Sequence, residues 1–156
     1  DAHKTIARNK KALHDYAVEE KLEAGLALTG TEVKALRMGR ASLVDAWVEL
    51  DRHGQAWLQG AHIPEYSQGS WNNHSPRRKR RLLMHRREID RWAFKTQAKG
   101  YTVVPLELYF INGRAKVEVA LARGKQEWDK RQALREKQDQ REAERAMRRY
   151  VKQARR

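Results

Sequence analysis

The chain has no cysteine and only three prolines among its 156 residues. Without cysteine it can form no disulfide, no thiolate nucleophile and no Cys-type zinc site. No apolar run approaches the roughly 18 residues that cross a bilayer, and no signal-peptide pattern occurs, so we expect a cytoplasmic protein. The six histidines show neither i, i+4 pairing nor adjoining carboxylates, and no phosphate-cradling glycine loop or Ser/His/Asp arrangement is evident. We therefore expect no metal, no cofactor and no enzymatic activity.

Positive charge is what the chain has in excess. It carries 34 Lys and Arg against 20 Asp and Glu, a formal charge of +14. Such an excess favours a polyanionic partner, with nucleic acid ahead of an anionic membrane surface. The densest basic run extends from Arg77 to Arg81 and suits phosphate neutralisation with counterion release, although a solvated helix face is the alternative. We assign Lys79 and Arg81 of this run to RNA binding.

Alternating polar and apolar residues predict several antiparallel strands. The segment 16–28, with His14 just upstream, alternates as one long strand in which Glu20 is a polar residue on an apolar face. Segments 44–50 and 56–63 have the pattern of a hairpin. Asn112-Gly113 between segments 101–110 and 114–122 is the strongest short hairpin signal in a sequence. Pro105 places its strand at an edge or a bulge.

Helix signals lie between these strands. Gly30 ends the first strand, Thr31 can cap a short helix, and Gly39 can end it on a left-handed residue. Residues 64–74 have loop chemistry. Ser75-Pro76 can start a second helix that continues to Gly100, with a possible break at 85–86. Trp47, Trp57 and Trp92 are expected in the core. We predict a mainly β protein with helices, in which residues 1–124 form a small closed or partly open antiparallel barrel of the OB type with flanking helices.

The character of the chain changes after Gly124. Residues 125–156 contain twelve Lys and Arg and six Asp and Glu, with few large apolar residues, so they cannot bury enough area to offset their ordering entropy. Good helix formers dominate and Pro and Gly are absent, so a partner surface could fold the segment into a helix. We predict a basic C-terminal tail that is disordered when free and helical when bound.

Six ordered blocks of the sequence resemble the SmpB family, the SsrA-binding proteins that deliver transfer-messenger RNA to stalled bacterial ribosomes. They are Ile6-Ala7 with Asn9-Lys10-Lys11-Ala12 and His14-Asp15-Tyr16, Leu22 before Glu23-Ala24-Gly25-Leu26, Gly30-Thr31-Glu32-Val33-Lys34 with Leu36-Arg37, Arg81-Leu82-Leu83 with Arg87-Glu88-Ile89-Asp90, Gly100 to Pro105, and Gly124-Lys125 with Asp129-Lys130-Arg131. The resemblance spans nearly the whole chain. It implies an OB-like barrel with one face on the tRNA-like domain of the RNA, while the opposite side and the tail face the ribosome.

The resemblance also implies which residues act. The matched RNA-binding positions are Asn9, His14, Tyr16, Glu23 and Leu83, and the same N-terminal block supplies Lys10 and Lys11. The matched ribosome-binding positions, at the decoding centre and in the messenger path, are Gly124, Lys125, Trp128, Asp129, Lys130, Arg131 and Met147. Trp128 stands where relatives usually have His or Tyr, which keeps an aromatic ring for stacking on a base.

The expected function is therefore ribosome rescue by a monomer in a one-to-one complex with transfer-messenger RNA. A ribosomal or assembly protein bound constitutively to rRNA is the main alternative, since it would also explain the charge. An RNA-processing enzyme is a second alternative. Membrane-surface binding is the weakest, because no amphipathic apolar face accompanies the basic tail.

Overall fold

The computed structural model describes residues 3–67, 70–72, 76–125 and 143–155. Within these ranges the strands are β1 (His3–Arg8), β2 (Tyr16–Leu26), β3 (Trp47–Leu50), β4 (Ala56–Gln59), β5 (Glu65–Ser67), β6 (Ser70–Asn72), β7 (Arg80–Leu83), β8 (Tyr101–Ile111) and β9 (Arg114–Gly124). The helices of the same ranges are α1 (Lys10–Asp15), α2 (Gly30–Arg37), α3 (Arg86–Lys95) and α4 (143–154). The protein is mainly β with helices, as the sequence predicted.

Seven strands form one antiparallel sheet in the order β1-β8-β9-β2-β7-β4-β3, and β5 pairs with β6 in a separate hairpin. Because β1 and β3 are the two edges of the main sheet, its hydrogen bonds do not close it in the described part of the chain. The sheet nevertheless curls until β3 contacts β8 across the interior. Of the closed and partly open barrels that the sequence allowed, the partly open one is confirmed.

The hairpin β8–β9 contributes two of the longest strands in the sheet. Asn112 and Gly113 both have positive φ, at 50° and 78°, as a two-residue type I′ turn requires. The register shifts between Pro105 and Glu107. Since β8 has a neighbour on each side, it is this bulge that accommodates the missing N–H of Pro105. Both the predicted turn and the predicted bulge are confirmed.

The core lies inside the curled sheet, where α2 and α3 pack their apolar sides. Leu36 of α2 and Trp92 of α3 are buried, at 1% and 0% exposure. The core prediction was right for Trp92 and wrong for the other two tryptophans. Trp47 is 48% exposed and Trp57 is partly exposed, because each occupies an outward-facing position of its strand while the neighbouring Val48 or Leu58 faces the core.

The polar residue on the apolar face of β2 has a structural explanation. A register shift between Val18 and Glu20 turns Glu20 toward α3, where its carboxylate accepts hydrogen bonds from the Arg91 guanidinium and from the Trp92 indole N–H. The hydrogen bonds from Arg91 lower the pKa of Glu20 below its ordinary value in spite of burial, and the bond from Trp92 adds to this effect. Glu20 therefore attaches α3 to the sheet.

The predicted helix from Ser75-Pro76 to Gly100 was wrong in its first half. Arg80–Leu83 is strand β7, which pairs with β2 and β4 and alternates buried and exposed residues. The helix begins only at the predicted break, with His85 as its N-cap residue. Pairing on both sides overrides the local proline signal, because β2 and β4 supply hydrogen-bond partners to the backbone of this short strand.

Three further sequence expectations need correction. Residues 64–74 are not simply a loop, since they include the hairpin β5–β6. The cap of α2 is Thr29 rather than Thr31, and Glu32 completes a capping box with it. Strand β1 and helix α1 were not predicted, and His14 lies in α1 rather than in a strand extension.

Candidate RNA-binding surface

Strands β2, β7 and β9 and the start of α3 border a cleft of about 600 Å³ on the outer face of the sheet. We call it the glutamate cleft. The residues that define it are Glu23, Gly25, Arg81, Leu83 and Lys116. Gly25 is the cross-strand partner of both Leu83 and Lys116, so these side chains share one face with Glu23, two positions along β2. The cleft thus combines cations and an apolar side chain with the carboxylates of Glu23 and Glu88, and Glu118 of β9 lies directly opposite Glu23.

One carboxylate of this cleft is held in place. The hydroxyl of Tyr109, which is only 6% exposed, donates a hydrogen bond to the Glu23 carboxylate. Burial raises the pKa of Tyr109 well above its ordinary value, and Glu23 raises it further, so the hydroxyl stays protonated and remains a donor. The ring of His3 packs edge-on against Tyr109 at 4.5 Å between centroids. Glu23 therefore has a fixed direction although it is exposed.

A second cleft, of about 720 Å³, lies where α1 meets the ends of β2, β8 and β9. We call it the α1 cleft. It brings together His14 and Tyr16, predicted to bind RNA, with Gly124 and Lys125, predicted to bind the ribosome. Lys125 reaches the Leu13 carbonyl at 3.4 Å. The two predicted sets of residues are therefore contiguous here, and the exposed Lys10 and Lys11 lie on the same short helix.

Asn9 occupies a structural position rather than an exposed one. It is 3% exposed and is the N-cap of α1, where its side-chain oxygen accepts from the Ala12 N–H at 3.1 Å. Its amide donates to the Pro105 carbonyl at 3.0 Å. Both ends of the amide are engaged inside the protein, so Asn9 has a structural role in capping α1, and its predicted role in RNA binding stays a prediction.

The basic run between β6 and α3 divides into buried and exposed members. Arg80 is 0% exposed and pairs with the equally buried Glu32 at 2.6 Å, while Arg78 binds the other oxygen of that carboxylate. Lys79 and Arg81 point outward: the Lys79 ammonium lies 4.4 Å from the centre of the Trp57 ring, and Arg81 lines the glutamate cleft. Because side chains alternate between the two faces of β7, Arg80 points into the protein and cannot contact a phosphate.

Only some of the predicted ribosome-binding residues lie within the described part of the chain. Trp128, Asp129, Lys130 and Arg131 lie outside the described residues. Met147 lies in α4 and is partly buried.

Helix α4 packs beside α3. The Tyr150 ring lies 5.9 Å from the Phe94 ring, and Arg155 pairs with Asp90. The prediction that the tail is disordered when free stays a prediction.

Sequence reasoning missed two residues that complete the glutamate cleft. Lys116 stands in a predicted strand, but its place beside Gly25 depends on a pairing register that one sequence does not reveal. The sequence placed Tyr109 in a predicted strand but gave no sign that it contacts Glu23. Its partner Glu23 lies on β2, two strands away, so no local signal connects them.

Together the OB-like sheet, the net charge of +14 and the two clefts define an RNA-binding protein built on a partly open barrel. The model of the SmpB protein family matches residues 6–149. The chain belongs to the SmpB family.

Named relatives agree with this assignment. The chain is 65% identical over 152 residues to an SsrA-binding protein of Bifidobacterium adolescentis, covering 97% of this chain and 96% of the relative. It is 66% identical over 144 residues to one of Streptomyces coelicolor, covering 92% and 90%. A solved structure described as "tmRNA-SmpB: a journey to the center of the bacterial ribosome" contains a chain with 44% identity and a TM-score of 0.65, covering 79% of this chain and 86% of that one.

No helix within the described residues is both long enough and apolar enough to cross a membrane.

Proposed function

We propose that this protein binds the tRNA-like domain of transfer-messenger RNA and delivers it to stalled ribosomes for trans-translation, as one protein per RNA in the cytoplasm. The observation that carries the proposal is the similarity over nearly the whole chain to proteins named SsrA-binding. The protein performs no bond chemistry itself. It acts by placing the RNA and the tail on the ribosome.

Contacts and charge support a division of labour. The glutamate cleft and the α1 cleft, with the exposed Lys10, Lys11, Lys79 and Arg81, face the RNA. Asn9 acts by capping α1 and so positions His14 and Tyr16. Gly124 and Lys125 lead into the segment with Trp128, Asp129, Lys130 and Arg131, which we assign with Met147 to the ribosome.

Binding to a folded tRNA-like transcript tests the proposal. The affinity should exceed that for an unstructured RNA of equal length. The logarithm of the binding constant should fall linearly with the logarithm of the salt concentration, because phosphate neutralisation releases counterions. Arg81→Gln should reduce the salt slope by about one contact. A salt-independent affinity, or equal binding to both RNAs, would contradict the proposal.

Recovery of RNA from cells distinguishes the main alternative. If the protein rescues ribosomes, one structured RNA should dominate the material that copurifies with it. A constitutive rRNA-binding protein should instead bring down ribosomal RNA and cosediment with every subunit at fixed stoichiometry.

A further inference from the structure

The C-terminal helix α4 has an apolar side that is already covered. Four residues that recur at i, i+1, i+4 and i+5, and so share one side of the helix, are half-buried: Ala146, Met147, Tyr150 and Val151. The other residues between 143 and 155 are exposed. Because isolated helices of this length are marginal in water, α4 depends on the surface that covers this side.

The covering surface is the outer side of α3. The Tyr150 ring contacts the Phe94 ring, and Arg155, just after α4, pairs with Asp90. As the chain advances from Tyr150 to Arg155, the contacts move back along α3 from Phe94 to Asp90, so the two helices are antiparallel. The other side of α3 is buried in the core. Helix α4 therefore docks on a helix whose own position does not depend on it.

The contact between α4 and α3 is suited to being broken and remade. Asp90 has a second cation, because the Arg86 guanidinium lies 3.8 Å from its carboxylate one turn earlier on α3. Departure of α4 therefore leaves no buried charge without a partner. A single aromatic contact and a partly exposed ion pair are weak by themselves. The covalent connection through residues 126–142 makes such a weak contact effective by keeping α4 at a high local concentration.

We propose that α4 rests on α3 in the free protein and must leave it before the tail can engage the ribosome. Met147, assigned above to the ribosome, lies on the covered side of α4, and one side of a helix cannot pack on α3 and on a ribosomal surface at once. For residues 143–155 the proposal replaces the sequence-based expectation of a tail that is disordered when free. The inhibitory effect rests on the proposed function, whereas the docking concerns the free protein alone.

Crosslinking of the full-length protein tests the resting position. Because the chain has no cysteine, the double variant Phe94→Cys, Tyr150→Cys offers a single pair of thiols to a short bismaleimide that contains a reducible disulfide. The free protein should be bridged within one molecule, and a control pair that combines Phe94→Cys with Arg148→Cys, at an exposed position of α4, should be bridged far more slowly. The bridged protein should keep its RNA affinity and lose peptide tagging, and reductant should restore tagging. Single-cysteine variants treated with the same reagent should keep both activities.

Amide hydrogen exchange of the uncrosslinked protein measures the same docking. Residues 146–151 should exchange more slowly in the full chain than in a peptide of residues 143–155. Phe94→Ala should speed their exchange roughly tenfold, the change expected from loss of an aromatic pair, whereas Lys95→Ala at an exposed neighbouring position should not. Arg155→Gln lies outside the barrel and should also speed exchange, and added salt should do so in the wild type, because the Arg155 side chain is partly exposed and its ion pair is screened.

Each contrary result has a distinct meaning. Equal bridging of the two cysteine pairs, or exchange as fast in the full chain as in the peptide, would show that α4 does not rest on α3. Bridges between two molecules would place the helix on a second copy and overturn the intramolecular contact. Full tagging by the bridged protein would refute the need for release. If the unbridged protein supports no tagging and does not prefer the tRNA-like transcript, the proposed function is wrong, while bridging and exchange still decide the docking.

Discussion

Replacing Glu32 by Gln should destabilise the whole barrel because it leaves a buried cation without its anion. Arg80 has 0% exposure, and its Nε donates to Glu32 at 2.7 Å. The remaining Arg80 donors bind backbone carbonyls of the segments that lead into and out of the β5–β6 hairpin, those of Ala61, Ile63, Pro76 and Arg78. Carbonyl groups satisfy the hydrogen-bonding needs of the guanidinium but do not neutralise its charge.

The expected loss follows from this geometry. Removing one partner of a buried ion pair costs about 3–5 kcal/mol, against a total stability of about 5–15 kcal/mol for a domain. For a chain of this size each kcal/mol lowers Tm by about 2–4 °C, so Glu32→Gln should melt about 6–20 °C below the wild type. Thermal and urea unfolding measure this directly. Glu19→Gln, at an exposed position of β2, is the matched control and should change stability by less than about 0.5 kcal/mol.

The same pair predicts a dependence on pH. Burial alone would raise the pKa of Glu32, but hydrogen bonds from Arg78, the Thr29 N–H and Arg80 outweigh it and leave the pKa below the ordinary 4.5. A carboxyl group with a lowered folded pKa stabilises the fold fully above its unfolded pKa, and this contribution is lost as the pH falls through the folded value. Wild-type stability should therefore fall more steeply below about pH 4.5 than that of Glu32→Gln. If Glu32→Gln unfolds like the wild type at neutral pH, the buried pair does not stabilise the fold and the reasoning fails.

Three other predictions concern the RNA and ribosome surfaces. Asn9→Ala should lower stability by about 1–2 kcal/mol because it removes the cap of α1, and urea unfolding would contradict this if the variant matched the wild type. Trp128→Ala should impair peptide tagging on stalled ribosomes by the roughly 1–3 kcal/mol of a stacked base, while Trp128→Tyr should be tolerated; a fully active Ala variant would exclude stacking. Truncation after Arg131 should leave RNA affinity nearly intact, and Glu142→Pro should block tagging where Glu142→Ala does not, since proline costs a helix about 3 kcal/mol. Full tagging by the proline variant would mean that the tail acts as a flexible polycation.

Local chemistry made part of the fold predictable. The hairpin β8–β9 could be located because Asn112 and Gly113 are the residues that tolerate positive φ at both turn positions. Strand β2 could be located because its alternation is long enough to survive one polar exception. Glu20 itself could be noticed but not explained, because its partner Arg91 lies on α3.

Long-range pairing explains most of what was missed. Residues 80–83 follow a proline start signal and are rich in arginine, so only their pairing with β2 and β4 makes them a strand. The same pairing buries Arg80, which a linear charge count assigns to solvent. For the candidate site, sequence and resemblance indicated Glu23, Leu83 and Arg81, whereas the register that places Lys116 beside them required the structure.

The order of strands in the sheet also governs when the newly made chain can fold. Among the described residues β1 pairs with β8 alone, so His3 lies opposite Ile111. The start of β2 at Tyr16 lies opposite the end of β9 at Gly124. Contacts so distant in sequence slow folding, and synthesis proceeds from the N-terminus at about 5–20 residues per second. A nascent chain that stops before residue 107 therefore leaves β1 without its neighbouring strand. It also leaves β2 without β9, although β2 can still contact α1, α3 and β7. Truncated products of this gene should expose apolar strand faces and be recognised by proteases. Only a nearly complete translation product should therefore reach the folded state.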